Sequence, residues 1–173
     1  TVNFAAKVFL ALFVDRLRQR EGVAALALEF LILTAARSGE VRGARWSEVD
    51  LTAKVWTIPA GRMKAGREHR VPLGTRALQI LEAVQPLTAG ADVGAHLVFP
   101  GPKVVKPLSE NAFAALLARM KVDVTAHGFR STFRDWAGEV STFPRELAEA
   151  ALAHVVGDAT ERAYRRGDAL EKR

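Results

Sequence analysis

The chain of 173 residues carries 25 basic and 19 acidic side chains, a net charge of +6, and 49% apolar residues. This length and composition suit one domain with its own core, and the absence of cysteine excludes a disulfide scaffold or a thiolate metal site. The excess of positive charge is compatible with a polyanionic partner without requiring one. The sequence contains no charge-free apolar run long enough to cross a bilayer and opens with no signal peptide, so we expect a cytoplasmic protein.

Helical periodicity dominates both ends of the sequence. Apolar residues recur every three or four positions in FAAKVFLALFVDRLRQR, and VAALALEFLILTAA is apolar on nearly every side. We therefore predict an amphipathic helix, then a buried helix, then a short helix beginning near SGEV. Further along, Ser109 is predicted to cap a helix through ENAFAALLARM, and HGFRSTFRDWAGEV is predicted to form another helix. Pro144 suits the first turn of a helix through RELAEAALAH.

The middle of the chain has the composition of β-strands. The segments KVWTIPA, HRVPL and HLVFP are short, rich in β-branched or aromatic residues, and bounded by Gly or Pro. They predict a small antiparallel sheet inserted after the second helix. Because the sequence shows no internal repeat or interdomain linker, the predicted fold class is α+β, mostly α, in one domain.

The segment HGFRSTFRDWAGEV has two distinct faces at about 100° per residue. One narrow stripe holds the aromatic side chains Phe129, Phe133 and Trp136, which are predicted to anchor the helix. A different side carries the basic side chains His127, Arg130 and Arg134. This second side is either a solvated basic face or a phosphate site, since a guanidinium fork fits paired phosphate oxygens and an imidazole transfers protons near neutral pH.

Two other segments place basic residues in constrained positions. Arg37 follows the buried helix in LTAARSGEV. The sequence leaves three interpretations open: Arg37 clamps an anion, it caps the carbonyl groups of the preceding helix, or it pairs with Glu40. Lys64 lies in a predicted β-turn between two strands in RMKAGREHRVPL, where it is either solvated or inserted into a DNA groove. His69 and Arg70 are predicted to lie on the strand surface, within reach of phosphate.

The only tyrosine, Tyr164, lies in LAHVVGDATERAYRRGD. Asp158 and Glu161 match a capping box, which predicts a final helix that carries Tyr164. A phenol, with a pKa of about 10, is a weak nucleophile until a base or cationic surroundings help to remove its proton, and arginines flank Tyr164. His154 precedes it on a helical face shared with apolar residues, so a core histidine is an alternative to a site residue there.

Four segments in this order resemble the catalytic domain of the tyrosine recombinases, also called phage integrases. They are LTAARSGEVRGARWSEVDL, RMKAGREHRVPL, HGFR and LAHVVGDATERAY. The resemblance runs from about Ala24 to the end of the chain and is strongest to prophage and genomic-island integrases related to those of satellite phages. It implies the helical recombinase catalytic fold and site-specific recombination of double-stranded DNA, at the nucleoid of a bacterial cell. One departure is Ala35, where the family frequently has Gly.

The resemblance implies six catalytic residues: Arg37, Lys64, His127, Arg130, His154 and Tyr164. Tyr164 would attack the scissile phosphate, giving a 3′-phosphotyrosyl link and a 5′-hydroxyl, while Arg37 and Arg130 hold the non-bridging oxygens. Lys64 would be the general acid for the leaving oxygen. His127 would assist proton transfer from the tyrosine, and His154 would hydrogen-bond the phosphate. Supporting and DNA-contacting residues would be Glu40, Arg67, His69, Arg70 and Arg134.

We expect no metal or other cofactor, because a covalent phosphotyrosine conserves the energy of the broken bond and the four histidines lack metal-ligand spacing. The residues before Ala24 leave no room for the family's core-binding and arm-binding domains. Residues 1–173 are therefore expected to be the catalytic domain alone, monomeric by itself and part of a tetramer on DNA in the full-length protein. Three alternatives remain open: a type IB topoisomerase, a helical DNA-binding domain without catalysis, and a metal-dependent nuclease.

Overall fold

The computed structural model describes residues 4–88, 96–103, 106–139 and 141–154, together with Leu170. The helices in these ranges are α1 (Phe4–Arg18), α2 (Val23–Thr34), α3 (Ser38–Arg42), α4 (Thr75–Val84), α5 (Ala112–Arg119), α6 (Ala126–Glu139) and α7 (Arg145–Ala151). The strands are β1 (Val49–Asp50), β2 (Val55–Ile58) and β3 (His69–Pro72). Within the described ranges, no helix is both long and apolar enough to cross a membrane.

Helix α2 lies at the centre of the domain, with α1, α4, α5 and α6 packed around it. Its Leu28 and Leu31 are completely buried, as an all-round apolar sequence requires. Phe30 contacts Trp56 of β2 and Phe99, with ring centroids 5.4 and 5.3 Å apart. The prediction of a buried second helix is therefore confirmed, and the segment that leads to Arg37 follows directly from this buried helix.

The three strands form an antiparallel sheet in the order β1, β2, β3, and along the chain α3 comes between α2 and this sheet. The predicted strands in KVWTIPA and HRVPL are confirmed, with Trp56 opposite Val71. The prediction that HLVFP belongs to this sheet was wrong. Leu97 instead forms an isolated bridge with Arg45, and the Val98 N–H donates to the Ala44 carbonyl at 2.8 Å. The apolar side chains of HLVFP are buried, so the strand-like composition reflects core packing there.

Helix α5 ends in a turn that needs a left-handed residue. Lys121 has φ of 55°, and the N–H groups of Lys121 and Val122 donate to the carbonyls of Ala118 and Leu117 at 3.0 and 3.2 Å. This is the Schellman pattern, in which glycine is the residue without a steric penalty. At the other end of the helix, the prediction that Ser109 caps α5 was wrong. The residue before the helix is Asn111, and no side chain caps it, because a backbone turn from Ser109 to Ala112 begins the helix.

We expect Lys121→Gly to raise the free energy of unfolding by about 0.5–1 kcal/mol, because the left-handed penalty of roughly 1–2 kcal/mol exceeds the entropic cost of glycine. The matched control is Ala118→Gly, an exposed position within the same helix, which should lower the free energy of unfolding by about 1 kcal/mol. Urea titrations of the two variants measure both changes. A loss of stability in both would show that the turn does not favour glycine.

Candidate active site

Arg130 lies at the centre of the candidate site, where α6 passes the ends of two other helices. It is only 5% exposed, so the solvated-face interpretation fails for this residue. One terminal nitrogen, Nη1, donates to the carbonyl oxygen of Ala35 at the end of α2, and Nη2 donates to that of Leu152 after α7 at 2.8 Å. Helix C-termini carry partial negative charge and favour a cation. Arg130 therefore joins the segment leading to Arg37 with the segment leading to His154.

Arg37 immediately precedes α3, two residues after Ala35, and it pairs with Glu40. Its Nη1 lies 2.8 Å from Glu40 Oε1, and its backbone N–H donates to Glu40 Oε2 at 2.7 Å. Glu40 is buried, whereas the Arg37 side chain remains 29% exposed. The carboxylate therefore holds the guanidinium in place while part of the Arg37 side chain still faces solvent. Pairing with Glu40, which the sequence left open, is compatible with an anion clamp.

Arg37 and Arg130 are close enough to repel each other. Burial, and then the positive charge of Arg37, lower the pKa of Arg130 to about 10, and the Glu40 carboxylate acts in the opposite direction. Arg130 thus remains protonated at neutral pH. Two guanidinium groups and one carboxylate leave an excess positive charge, so an anion bound beside them would relieve the repulsion.

His154 is held by the turn that ends α7. Ala153 has φ of 51°, and the N–H groups of Ala153 and His154 donate to the carbonyls of Ala150 and Glu149 at 3.1 and 2.9 Å. The ring is fixed as well, since Nδ1 lies 2.6 Å from Glu149 Oε2. The side chain is 36% exposed, so the core-histidine alternative does not hold. His154 presents a positioned imidazole at the surface.

Lys64 occupies the β-turn that the sequence predicts between β2 and β3. The Gly66 N–H donates to the Met63 carbonyl at 3.0 Å, and Lys64 is exposed. Two residues earlier, Arg62 donates to the Glu48 carboxylate and to the backbone carbonyl of Glu40. The base of the Lys64 loop is thereby joined to α3, which carries the partner of Arg37.

His127 is exposed in the first turn of α6, one turn before Arg130. In the described part of the chain, neither the His127 nor the Lys64 side chain forms a hydrogen bond or ion pair with another residue. The structure therefore pairs Arg37 with Glu40 and joins Arg130 to the segments that lead to Arg37 and His154. It leaves the side chains of the two proton-transfer candidates, His127 and Lys64, exposed.

The other predicted DNA contacts are distributed over two elements. Arg67 and Arg70 are exposed and His69 is half-buried, with His69 and Arg70 in β3 opposite β2. Arg134 of α6 is exposed, and its Nε lies 3.6 Å from Glu149 Oε1. Arg134 is thus partly engaged by a carboxylate beside His154.

The aromatic stripe of α6 anchors the helix only in part. Phe129 is buried and contacts Phe13 of α1, with ring centroids 5.0 Å apart. Phe133 and Trp136 instead line an open groove of about 490 Å³ beside α1, and Trp136 is exposed. The prediction was therefore right for Phe129 and wrong for Trp136, which lines the groove between α1 and α6 without being buried in it.

Tyr164 and the capping box from Asp158 to Glu161 lie outside the described residues. Among the residues that are described, no three acidic or histidine side chains are grouped as metal ligands.

Two residues that shape the site were not singled out from the sequence. Arg62 lies two positions before Lys64, and Glu149 lies five positions before His154. Arg62 reaches α3 through tertiary geometry, whereas Glu149 makes a local contact with a histidine just beyond the end of its own helix. Glu149 could have been noticed in the sequence because it is a carboxylate in the last turns of a predicted helix, where a negative charge is unfavourable next to the negative end of the helix dipole.

Solved integrase structures share the fold of this chain. The lambda integrase catalytic core matches with a TM-score of 0.60 at 18% identity, covering 86% of this chain and 90% of that one. The Tn1549 transposon integrase, solved in complex with transposon right-end DNA, matches with a TM-score of 0.69 at 14% identity, covering 92% of this chain and 60% of that one. The predicted mostly helical recombinase fold with a small sheet is confirmed.

Sequence similarity identifies the family. Residues 12–170 match the phage integrase family. Prophage integrase IntA of Escherichia coli K12 is 41% identical over 145 residues, which cover 82% of this chain and 34% of IntA. The integrase of Enterobacteria phage P4 is 32% identical over 156 residues, which cover 80% of this chain and 35% of that protein. The chain belongs to the phage integrase family, as its motifs predict, and it spans about a third of the length of these relatives.

Proposed function

We propose that this chain is the catalytic domain of a tyrosine recombinase that cuts and rejoins double-stranded DNA to integrate or excise a prophage or genomic island. The observation that carries the proposal is the junction at Arg130, which links the segments of Arg37 and His154 through two helix-terminal carbonyls. This junction supports the proposal that three donors distant in sequence, Arg37, Arg130 and His154, act in one positively charged site. Such a site suits a phosphodiester, whose oxygens only accept hydrogen bonds.

Solved relatives support the choice of partner. The Tn1549 integrase was solved with transposon DNA, and a lambda integrase tetramer was solved bound to a Holliday junction. By analogy, the full-length protein would bind double-stranded DNA as a tetramer. Exposed basic residues would contact the DNA backbone outside the reaction centre: Arg67, His69, Arg70 and Arg134.

The proposed reaction transfers the scissile phosphate to Tyr164. The phenolic oxygen forms a bond to phosphorus while the bond from phosphorus to the 5′-oxygen breaks, leaving a 3′-phosphotyrosyl link. Lys64 gives a proton to the departing 5′-oxygen, and His127 accepts the phenolic proton. Attack by a 5′-hydroxyl of another strand reverses these steps, restores the phosphodiester and frees the tyrosine. The number of phosphoester bonds is conserved, so no external energy source enters the balance.

Fixed positive charge is the main catalytic device in this scheme, because a phosphodiester repels nucleophiles. Arg37, whose side chain is partly exposed, donates to a non-bridging oxygen, and the buried Arg130 adds positive charge to the site. His154 donates to the phosphate from the end of α7. Glu40 supports the site by holding Arg37 through two hydrogen bonds.

The direct test is a covalent protein–DNA complex. The chain is incubated with a library of nicked duplexes, in which a short strand dissociates after cleavage and so prevents rejoining. Covalent protein–DNA adducts that resist SDS are isolated, their DNA is sequenced, and the residue that carries the DNA is mapped. The proposal expects a 3′-linked adduct on Tyr164. Absence of any adduct across the library would reject strand cleavage. On intact plasmids, relaxation without recombinant junctions would indicate a topoisomerase, and cleavage abolished by EDTA would indicate a nuclease.

Lys64→Ala is expected to slow cleavage of ordinary DNA by about 10²- to 10⁴-fold, because the 5′-oxygen leaves poorly without a proton. A substrate with sulfur at the bridging 5′ position should restore a rate near that of the wild type, since a thiolate leaves without protonation. The comparison is His127→Ala, whose defect lies in attack and should persist on the sulfur substrate. Single-turnover cleavage rates measure both. Equal defects of Lys64→Ala on the two substrates would remove Lys64 from the general-acid role.

A further inference from the structure

Glu149 is a buried carboxylate in an unfavourable position for helix stability. It lies in the last turns of α7, near the negative end of the helix dipole, and it is 6% exposed. Both burial and the dipole disfavour a negative charge there. A charge kept at such a position is stabilised by its contacts, and those contacts converge on the candidate site.

Three basic groups approach the Glu149 carboxylate, but they do not contribute equally. Arg134 of α6 and Arg145 of α7 lie with Nε at 3.6 and 3.8 Å from Oε1, and both side chains are largely exposed. His154 Nδ1 lies 2.6 Å from Oε2, which is a close hydrogen bond. A fourth cation, Arg130, binds the neighbouring Leu152 carbonyl and not the carboxylate. The carboxylate is therefore committed mainly to the imidazole.

This contact decides which nitrogen of His154 is available. An ionised carboxylate only accepts hydrogen bonds, so Nδ1 must carry a proton and donate it to Oε2. Nε2 is then the nitrogen left for a second partner. Because the backbone N–H of His154 also donates to the Glu149 carbonyl, the same residue fixes both the main chain and the ring.

We infer that Glu149 is a positioning residue that fixes the Nδ1–H tautomer of His154 and aims Nε2 at the scissile phosphate. A phosphate oxygen also only accepts hydrogen bonds, so when the phosphate is bound Nε2 carries a proton in addition to the one on Nδ1. The doubly protonated imidazole then lies between two anions, the Glu149 carboxylate and the phosphate. The part concerning the phosphate rests on the proposed function. The tautomer itself is a property of the protein without DNA.

The tautomer is tested by nitrogen-15 NMR on histidine-labelled protein above the pH at which its imidazoles are neutral. The chain has four histidines, and His154→Ala identifies the signal of His154. We expect the wild type to show a proton on Nδ1 and none on Nε2, and Glu149→Ala to change this signature towards Nε2–H. Glu149→Gln retains an oxygen acceptor and should keep the Nδ1–H signature. Glu146→Ala, an exposed change on the same helix, should leave it unchanged.

Single-turnover cleavage tests the consequence. Loss of a residue that orients a functional histidine typically costs about 10- to 100-fold, so we expect Glu149→Ala to slow cleavage by this factor and Glu149→Gln to recover most of it. In a His154→Ala background, Glu149→Ala should cause no further loss. A wild-type Nε2–H signature, or an equal loss from Glu149→Ala with and without His154, would overturn the inference. If the wild type does not cleave at all, the proposed function fails and the NMR signature still decides the tautomer.

Discussion

Arg130→Ala is expected to lower the free energy of unfolding by about 2–4 kcal/mol and to slow DNA cleavage at least about 100-fold. The stability loss follows because the substitution leaves the Ala35 and Leu152 carbonyls without their shared donor in a buried position. The loss of cleavage follows because the site loses a charge and because the ends of α2 and α7 are no longer tied together. Denaturant titrations and single-turnover cleavage rates, measured below the unfolding transition, separate the two effects.

Two other arginines provide the matched comparison. Arg37→Ala should slow cleavage by a similar factor at a smaller stability cost, since Arg37 is partly exposed and its ion pair lies within its own turn. Arg134→Ala should stay much closer to the wild type in both measurements, because its exposed side chain makes one long ion pair with Glu149. Comparable cleavage by all three variants would refute the clamp. Cleavage that falls only in proportion to the folded fraction would make Arg130 purely structural.

The sequence singled out Arg130 as a candidate site residue but could not predict its environment. The HGFR motif and helical spacing indicated a basic face with Arg130 beside His127 and Arg134. In the structure only Arg130 is buried, because two helices end against that turn of α6. Tertiary packing decides which face of a helix meets the ends of other helices. Periodicity within one segment carries no information about that packing.

The same limit applies to the sheet. The pattern predicted β2 and β3 because each is a short run of β-branched or aromatic residues between turn residues. It missed β1, whose two residues are too short to show any period, and assigned HLVFP to the sheet. HLVFP is as apolar as a strand but pairs with residues 44–46 outside the sheet. An apolar composition indicates that a segment is buried. Whether the segment joins a sheet depends on which other segment lies beside it in the fold.

The helix ends show a further effect that local sequence conceals. Ala35, Lys121 and Ala153 all adopt left-handed backbone conformations after α2, α5 and α7, although none is glycine. Two of these turns serve the candidate site, since the Ala35 carbonyl binds Arg130 and the turn at Ala153 places His154. The departure from glycine at Ala35 therefore leaves the turn intact at some cost in backbone energy. A glycine search would have missed both turns.

Tyr164→Phe is expected to abolish covalent attachment to DNA while leaving DNA affinity within about twofold, because the substitution removes only the attacking oxygen. The tyrosine is the only one in the chain, so no second phenol can substitute for it. Trapping on nicked duplexes measures the adduct, and fluorescence anisotropy at fixed salt measures binding, which is salt-dependent for contacts to phosphate. Arg37→Ala is the informative contrast. It should weaken both cleavage and binding, since the guanidinium acts on the phosphate before and during attack, whereas the phenol acts only in bond formation. An adduct that persists in Tyr164→Phe would place the nucleophile elsewhere, even though the charged cluster around Arg37 and Arg130 would remain suited to phosphate.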